Sequence, residues 1–167
     1  MADIFSPEKR SKIMSRIRSS GTKPEVRLHG VLRAILGKRR RIESNVANLP
    51  GCPDIVVPSL RLAVFSDGCF YHCCPQHGHT PKSNGNYWRP KLARNLRRDQ
   101  SSSRRLRRIG YSVWRVWEHD LRTTKLENTM LRLRNRINRL LTCKYGPKPA
   151  PNQVTQGALA ARLQKSP

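Results

Sequence analysis

The chain has 167 residues, long enough to bury a core without help from metals or disulfides. It carries 34 Lys and Arg against 10 Asp and Glu, a net charge of +24 with a pI near 11.4, which points to a polyanion partner, DNA or RNA. No apolar run approaches a membrane span and the N-terminus lacks the apolar core of a secretory signal, so a cytoplasmic protein is expected.

Ser6 as N-cap and Pro7 at the first helical position predict a strongly basic helix running to about Ile17, ended by Gly21. Thr22-Lys23-Pro24-Glu25 has the form of a capping box, and Val26, Leu28, Val31, Leu32 and Ile35 follow at helical spacing up to Gly37. Leu49 to Pro53 is loop chemistry. Asp54–Val57 and Leu62–Phe65 are short, nearly continuous apolar runs, as expected of strands covered on both faces. Residues 81–88 look like loop. A basic helix is predicted from about Pro90 to Arg108, then a strand from Tyr111 to Trp117, then a helix from about Thr124 to Leu141. Helices before and after a small sheet predict a mixed α/β domain over residues 1–143. Residues 144–167 change composition and predict a flexible basic tail.

Chemistry concentrates in one loop. Ser66 to Thr80 holds three of the five cysteines and three of the five histidines. With no export signal, this grouping favours a metal site over a disulfide framework. Cys69, Cys74 and His77 form a C-x4-C-x2-H set, and zinc requires four N or S donors. His119, just past the last strand, is the natural fourth. Cys73 and His79 stand as alternatives to Cys74 and His77. Asp54, at the start of one strand, and Asp67, at the end of the next, are placed to hold Mg²⁺ against a phosphate. Taken alone, Asp54 reads better as a satisfied turn carboxylate at the strand start. His72 is a candidate general base for a water nucleophile, or else a structural or ligating histidine. Glu25 is the capping-box acid and is free to face a site as well. Phe70 and Tyr71 are either a wedge for a base stack or a cover over the metal.

The segments G-T-K-P-E (21–25), L-P-G-C-P-D-I-V (49–56), V-F-S-D-G-C-F-Y-H (64–72), Y-W-R-P-K-L-A-R-N (87–95), R-R-D (97–99) and R-I-G-Y-S-V-W-R-V-W-E-H (108–119) together resemble the very-short-patch repair (Vsr) mismatch endonucleases. The likeness spans roughly residues 1 to 140. It implies a restriction-endonuclease-like three-layer α/β fold, within the PD-(D/E)xK superfamily, with a small central mixed sheet and a structural zinc. It implies a DNA-nicking hydrolase acting beside T·G mismatches left by deamination of 5-methylcytosine. It places Mg²⁺ on Asp54 and the main-chain carbonyl of Ser66, with His72 activating water and Glu25 in support. It places zinc on Cys69, Cys74, His77 and His119. Phe70, Tyr71 and Trp88 would enter the base stack, while the first helix, around Met14, clamps the DNA from the other groove.

The family also suggests a monomer with a functional link to a cytosine-5 methyltransferase. The best-known members have His where this chain has Asp67, and Trp where it has Tyr71. Asp67 is therefore read as a candidate second Mg²⁺ ligand, with the choice between metal ligand and acid–base group left open. Two rival readings remain: an endonuclease of the same fold without T·G specificity, and a zinc-containing nucleic-acid binder with no catalysis, for which charge alone would suffice.

Overall fold

The structure, a computed structural model, describes residues 8, 9, 12, 20–79 and 84–145. Four strands form one mixed sheet in the order β1-β2-β3-β4. They are β1 (Glu43–Ser44), β2 (Ile55–Val57), β3 (Leu62–Asp67) and β4 (Ser112–Trp117). Neighbours β1/β2 and β2/β3 run antiparallel, and β3/β4 run parallel. Among the described residues, three long helices pack around the sheet: α1 (Lys23–Leu36), α2 (Gly85–Arg108) and α3 (Thr123–Tyr145).

Alternation along β3 builds the layers. Leu62 and Val64 point to one face, where they meet Leu28, Val31 and Leu32 of α1 and Leu133 and Ile137 of α3. Ala63 and Phe65 point to the other face and pack with Leu106 of α2. The sheet is thus covered on both sides, which is why β2 and the first four residues of β3 are buried throughout. By the same period of two, Asp67 falls on the α2 face, and so does Asp54, one residue before β2. Asp54 and Asp67 therefore lie on the α2 face, away from the larger apolar cluster.

Some elements differ from expectation in extent. Helix α2 begins at Gly85, five residues before Pro90, with the Tyr87 and Trp88 amides both donating to the Asn84 carbonyl at 3.1 Å. Pro90 is tolerated inside this first stretch because Trp88 and Leu92, one turn apart, both bury and hold the helix down. Strand β3 runs on to Asp67, because parallel pairing with β4 continues to Asp67 opposite Trp117. Strand β1 has no counterpart among the expected elements; two residues carry no periodicity to read. The expected basic helix at the N-terminus, with Met14, lies outside the described residues apart from Glu8, Lys9 and Lys12, which are helical. Helix α3 continues to Tyr145, and the expected tail beyond it also lies outside them. Among the described residues, no helix is long and apolar enough to cross a membrane.

Candidate active site and metal centre

The capping box that opens α1 closes in an altered form. The Thr22 hydroxyl donates to Glu25 Oε1 at 2.8 Å, and the Gly21 amide donates to Glu25 Oε2 at 2.8 Å. Glu25 is thereby fixed where its charge is felt at Asp54. Asp54 Oδ2 accepts the Ser66 amide at 2.7 Å, which ties the start of β2 to the end of β3. Burial pushes the Asp54 carboxyl up to about 6, with the negative charges of Glu25 and Asp67 adding to the effect against the Ser66 hydrogen bond and Arg115. In a chain with so few acids, the carboxylates of Glu25 and Asp67 close enough to disfavour charge on Asp54 make its position one that a cation would relieve.

Two connected pairs lie beside Asp54. His72 Nδ1 donates to Asp99 Oδ2 at 2.6 Å. Arg115 grips the buried Asp67 with two parallel bonds, Nε to Oδ2 at 2.6 Å and Nη2 to Oδ1 at 2.7 Å. Arg115 Nη2 also stands 3.4 Å from Asp99 Oδ2, and its guanidinium lies 4.7 Å over the Phe65 ring. Arg115 Nη1 is buried and makes no hydrogen bond. Burial opposes ionisation of Asp99, but the His72 hydrogen bond and the Arg115 charge outweigh it and hold this carboxyl below its ordinary value. A cavity of about 490 Å³ opens next to the network, lined by Asp67, His72, Asp99, Arg104, Arg107 and Arg115 among others.

The metal-capable residues of the same loop meet one another and the end of β4. Parallel register sets Asp67 opposite Trp117, so Cys69 and His119 each lie two residues past a matched pair. The loop folds back on itself: the Cys74 amide donates to the Cys69 carbonyl at 2.9 Å and the Gly78 amide to the Cys74 carbonyl at 2.7 Å. A Cβ at Gly78 would stand 2.5 Å from that Cys74 carbonyl, so the turn excludes side chains there. One donor atom each from Cys69, Cys74, His77 and His119 lies within 4.8 Å of the other three. Cys69 Sγ is 3.0 Å from His119 Nδ1, and His77 Nδ1 is 3.2 Å from His119 Nδ1. Two sulfurs and two imidazoles at such spacings suit a tetrahedral zinc, whose bonds of ~2.0–2.3 Å put donors about 3–4 Å apart. Burial keeps the His119 imidazole below its ordinary pKa, against the pull of Asp120, which favours the neutral ligating form. Cys73 and His79 are not in the group; His79 Nδ1 instead lies 3.5 Å from the His77 carbonyl.

The three aromatic residues expected to act together do assemble. Phe70 meets Tyr71 edge-on at 5.1 Å and Trp88 edge-on at 4.9 Å. Trp88 is the buried backing, whereas Phe70 and Tyr71 are half-buried. Tyr87 adds a fourth ring 5.3 Å from Trp88, and Lys91 covers both rings at 5.1 and 5.2 Å. Three participants have no role that the sequence alone assigns. Asp99 sits among arginines on a helix, Arg115 is one of many basic residues, and Glu118, which accepts the Cys69 amide at 3.1 Å, adjoins a candidate ligand. The mid-strand position of Arg115, in an otherwise apolar run, is the one available signal.

The family model of the DNA mismatch endonuclease Vsr matches residues 2–78. The chain is 36% identical over 127 residues to the DNA mismatch endonuclease Vsr of Escherichia coli (strain K12), covering 73% of this chain and 77% of that one. The chain belongs to the Vsr endonuclease family. Other relatives of this chain carry nicking-enzyme names. The type II nicking enzyme V.XorIIP of Xanthomonas oryzae pv. oryzae is 41% identical over 81% of this chain and 96% of its own length. The type II nicking enzyme V.NaeI of Lentzea aerocolonigenes is 46% identical over 66% of this chain and 68% of its own. The protein is a DNA-nicking hydrolase of this family, with the α/β fold that the resemblance implied.

Proposed function

We propose that this Vsr-family enzyme nicks one DNA strand beside T·G mismatches in a Mg²⁺-dependent reaction, the first step in repairing deaminated 5-methylcytosine. The observation that carries this reading is the adjacency of two parts on one loop. Ser66, bonded to Asp54, and His72, bonded to Asp99, flank Phe70 and Tyr71 in the segment Ser66 to His79, and Phe70 stacks edge-on against Trp88.

Mg²⁺ would be held by Asp54 and the Ser66 carbonyl, the acid cluster around Asp54 being the feature that fits it. When bound, the ion would polarise the scissile phosphate and offset charge developing on it. His72 then acts on the attacking water. With Nδ1–H committed to Asp99, its Nε2 carries the lone pair that takes the water's proton, and Asp99 stabilises the cationic ring that results. Glu25, locked by Gly21 and Thr22, holds the negative field at Asp54. Asp67, engaged by Arg115 through both oxygens, is read as a structural partner of that arginine.

Phe70 and Tyr71, backed by Trp88, enter the base stack. Unstacking costs least at a mispair, so insertion itself separates T·G from T·A. Zinc on Cys69, Cys74, His77 and His119 takes no part in the chemistry; it clamps the loop to the end of β4 so that His72 and Phe70 stay in register. Met14 and the basic N-terminal helix would clamp the duplex from the opposite groove. The enzyme would act as a monomer alongside a cytosine-5 methyltransferase.

The nicking-enzyme names of V.XorIIP and V.NaeI favour a second reading, the same chemistry without T·G selectivity. One assay decides. A labelled duplex with a single T·G pair and its T·A twin are incubated with wild type and with Asp54→Ala. Wild type should cut only the mismatched duplex, and Asp54→Ala should bind it without cutting. Equal cutting of both duplexes would establish the second reading; nicking by Asp54→Ala would remove the assigned mechanism.

A further inference from the structure

The two ends of the sheet differ in charge. Glu25, Asp54, Asp67, Asp99, Glu118 and Asp120 stand at the catalytic end, next to β2, β3 and β4 or bonded to residues there. The connections at the opposite end hold Lys38, Arg39, Arg40 and Arg41 between α1 and β1, and Arg61 between β2 and β3. Antiparallel register places the first four there. Glu43 pairs with Val56, so the residues ahead of Glu43 run past Val57, away from Asp54. Among the described residues of the sheet and its connections, Glu43 is the one acid at this end. It meets Arg41 at 2.8 Å, but that guanidinium side chain is 81% exposed, so solvent screens the pair.

The basic run is also a built loop. Arg33, near the end of α1, turns back to donate through Nη1 to the carbonyls of Gly37 at 3.2 Å and Arg40 at 2.8 Å. Arg40 in turn donates to Ser59 Oγ at 3.4 Å, tying the loop to the connection between β2 and β3. The loop's carbonyls thus serve an inward cation, and Lys38, Arg39 and Arg41 are left exposed around an open groove of about 480 Å³. Five of the six residues lining the groove are cations, and the sixth, Ile42, is half-buried. Like charges so crowded repel unless an anion offsets them, and no carboxylate lines the groove.

Substrate DNA at the catalytic end does not supply that anion. Strand β3 alone, from Leu62 to Asp67, spans about 17 Å at ~3.3 Å per residue. Charges are screened over about 8 Å at physiological salt, so a backbone held at Asp54 is only weakly felt at the far loop. The partner is therefore a separate polyanion. Arginine forks match phosphate oxygens in pairs, whereas a protein partner would call for aromatic or apolar anchors that this groove lacks.

We propose that the loop Lys38–Arg41 is a second nucleic-acid site, which grips the phosphate backbone of another duplex segment while the catalytic end holds its substrate. The inference needs a duplex at the catalytic end but not T·G selectivity, so the two readings fail separately.

Full-length, zinc-loaded protein is saturated with a dye-labelled T·G duplex, with no Mg²⁺ added, and titrated with a fully matched duplex carrying a second dye. Energy transfer between the dyes reports joint occupancy, and sedimentation counts proteins per complex. Wild type should hold two duplexes on one protein. Lys38→Gln, Arg39→Gln and Arg41→Gln together leave Arg33 and Arg40 to hold the loop. That triple variant should lose most of the second binding, and the salt slope of what remains should flatten by about 2.7, or ~0.9 per phosphate contact. It should still nick the T·G duplex at the wild-type single-turnover rate. Arg94→Gln, Arg122→Gln and Lys125→Gln together remove three exposed cations away from the loop and should leave the second binding intact. One duplex per protein in wild type would overturn the proposal. So would equal loss in both triple variants, which would make net charge the cause, or slower nicking in the loop variant, which would put the loop on the substrate duplex. Tighter capture of polyglutamate than of the matched duplex, at equal charge, would overturn it in favour of an acidic protein.

Discussion

Asp99→Asn tests how much of the chemistry depends on a single hydrogen bond. The substitution preserves shape but removes the charge that His72 faces at 2.6 Å, on a side chain only 12% exposed. An amide oxygen still accepts the Nδ1 proton, so the ring stays near its place. What is lost is the difference between a charged and a neutral acceptor as the imidazole becomes cationic. Hydrogen bonds to charged groups contribute about 1.5–3 kcal/mol against ~1 for neutral ones, so the deficit in the transition state is roughly 1–2 kcal/mol. At 1.36 kcal/mol per decade, this slows the step by about five- to thirtyfold. Removing the base altogether would cost more, about 10²–10⁴.

The assay is single-turnover nicking of the T·G duplex at saturating enzyme, so that DNA affinity does not enter. His72→Ala serves as the lower bound, and the thermal midpoint of each variant confirms folding. A rate for Asp99→Asn equal to wild type, with His72→Ala strongly impaired, would show that Asp99 does not assist the base. A rate as low as that of His72→Ala would show that the carboxylate is indispensable and that a simple difference of hydrogen-bond strengths is the wrong account.

Three further outcomes are expected. Cys74→Ser should lower bound zinc from about one per chain to near none by elemental analysis, because a site with a ligand lost binds far more weakly. Nicking should fall with it although Cys74 touches no substrate, and full zinc content in Cys74→Ser would exclude it as a ligand. The Asp54 carboxyl, held up to about 6 by burial, must lose its proton to bind Mn²⁺, so affinity should climb as pH rises through about 6 and level off above. On folding itself the sign is opposite, since a raised carboxyl is most favourable below its unfolded value of about 3.9 and its contribution is lost as pH rises through about 6. Mn²⁺ affinity that is flat across that range would contradict the shift. Gly51 has φ +82°, and a Cβ there would stand 2.6 Å from Ser102 Cβ, so Gly51→Ala should cost about 2–4 kcal/mol from left-handed strain and overlap combined. A urea midpoint like that of wild type would mean that the loop yields freely.

How far the site was legible depends on the distance over which its parts interact. The candidate metal donors Cys69, Cys74 and His77 lie within one short loop, where spacing alone signals a metal. His119 was reachable because a strand end beside the loop is the natural source of a fourth donor. The aromatic pair Phe70–Tyr71 is adjacent in the chain, and Trp88 came only with the family resemblance. Asp67 was the harder case. A strand-end acid beside another reads as a metal ligand until its partner is known, and that partner, Arg115, is 48 residues away and one of 34 basic side chains.

By itself, the sequence determined what short-range physics can settle. Apolar periodicity set helices α1 and α3 and the two-sided burial of β2 and β3. The charge excess called for a polyanion, and the Cys/His spacing called for a metal. Tertiary structure decided the pairings among like residues. Parallel register of β3 with β4 brings His119 to Cys69 and Arg115 to Asp67, and the packing of α2 over the sheet brings Asp99 to His72. Local spacing cannot choose one arginine from many or one aspartate from ten acids. Only the fold, by burying a particular pair where each charge must find its counterpart, makes that choice.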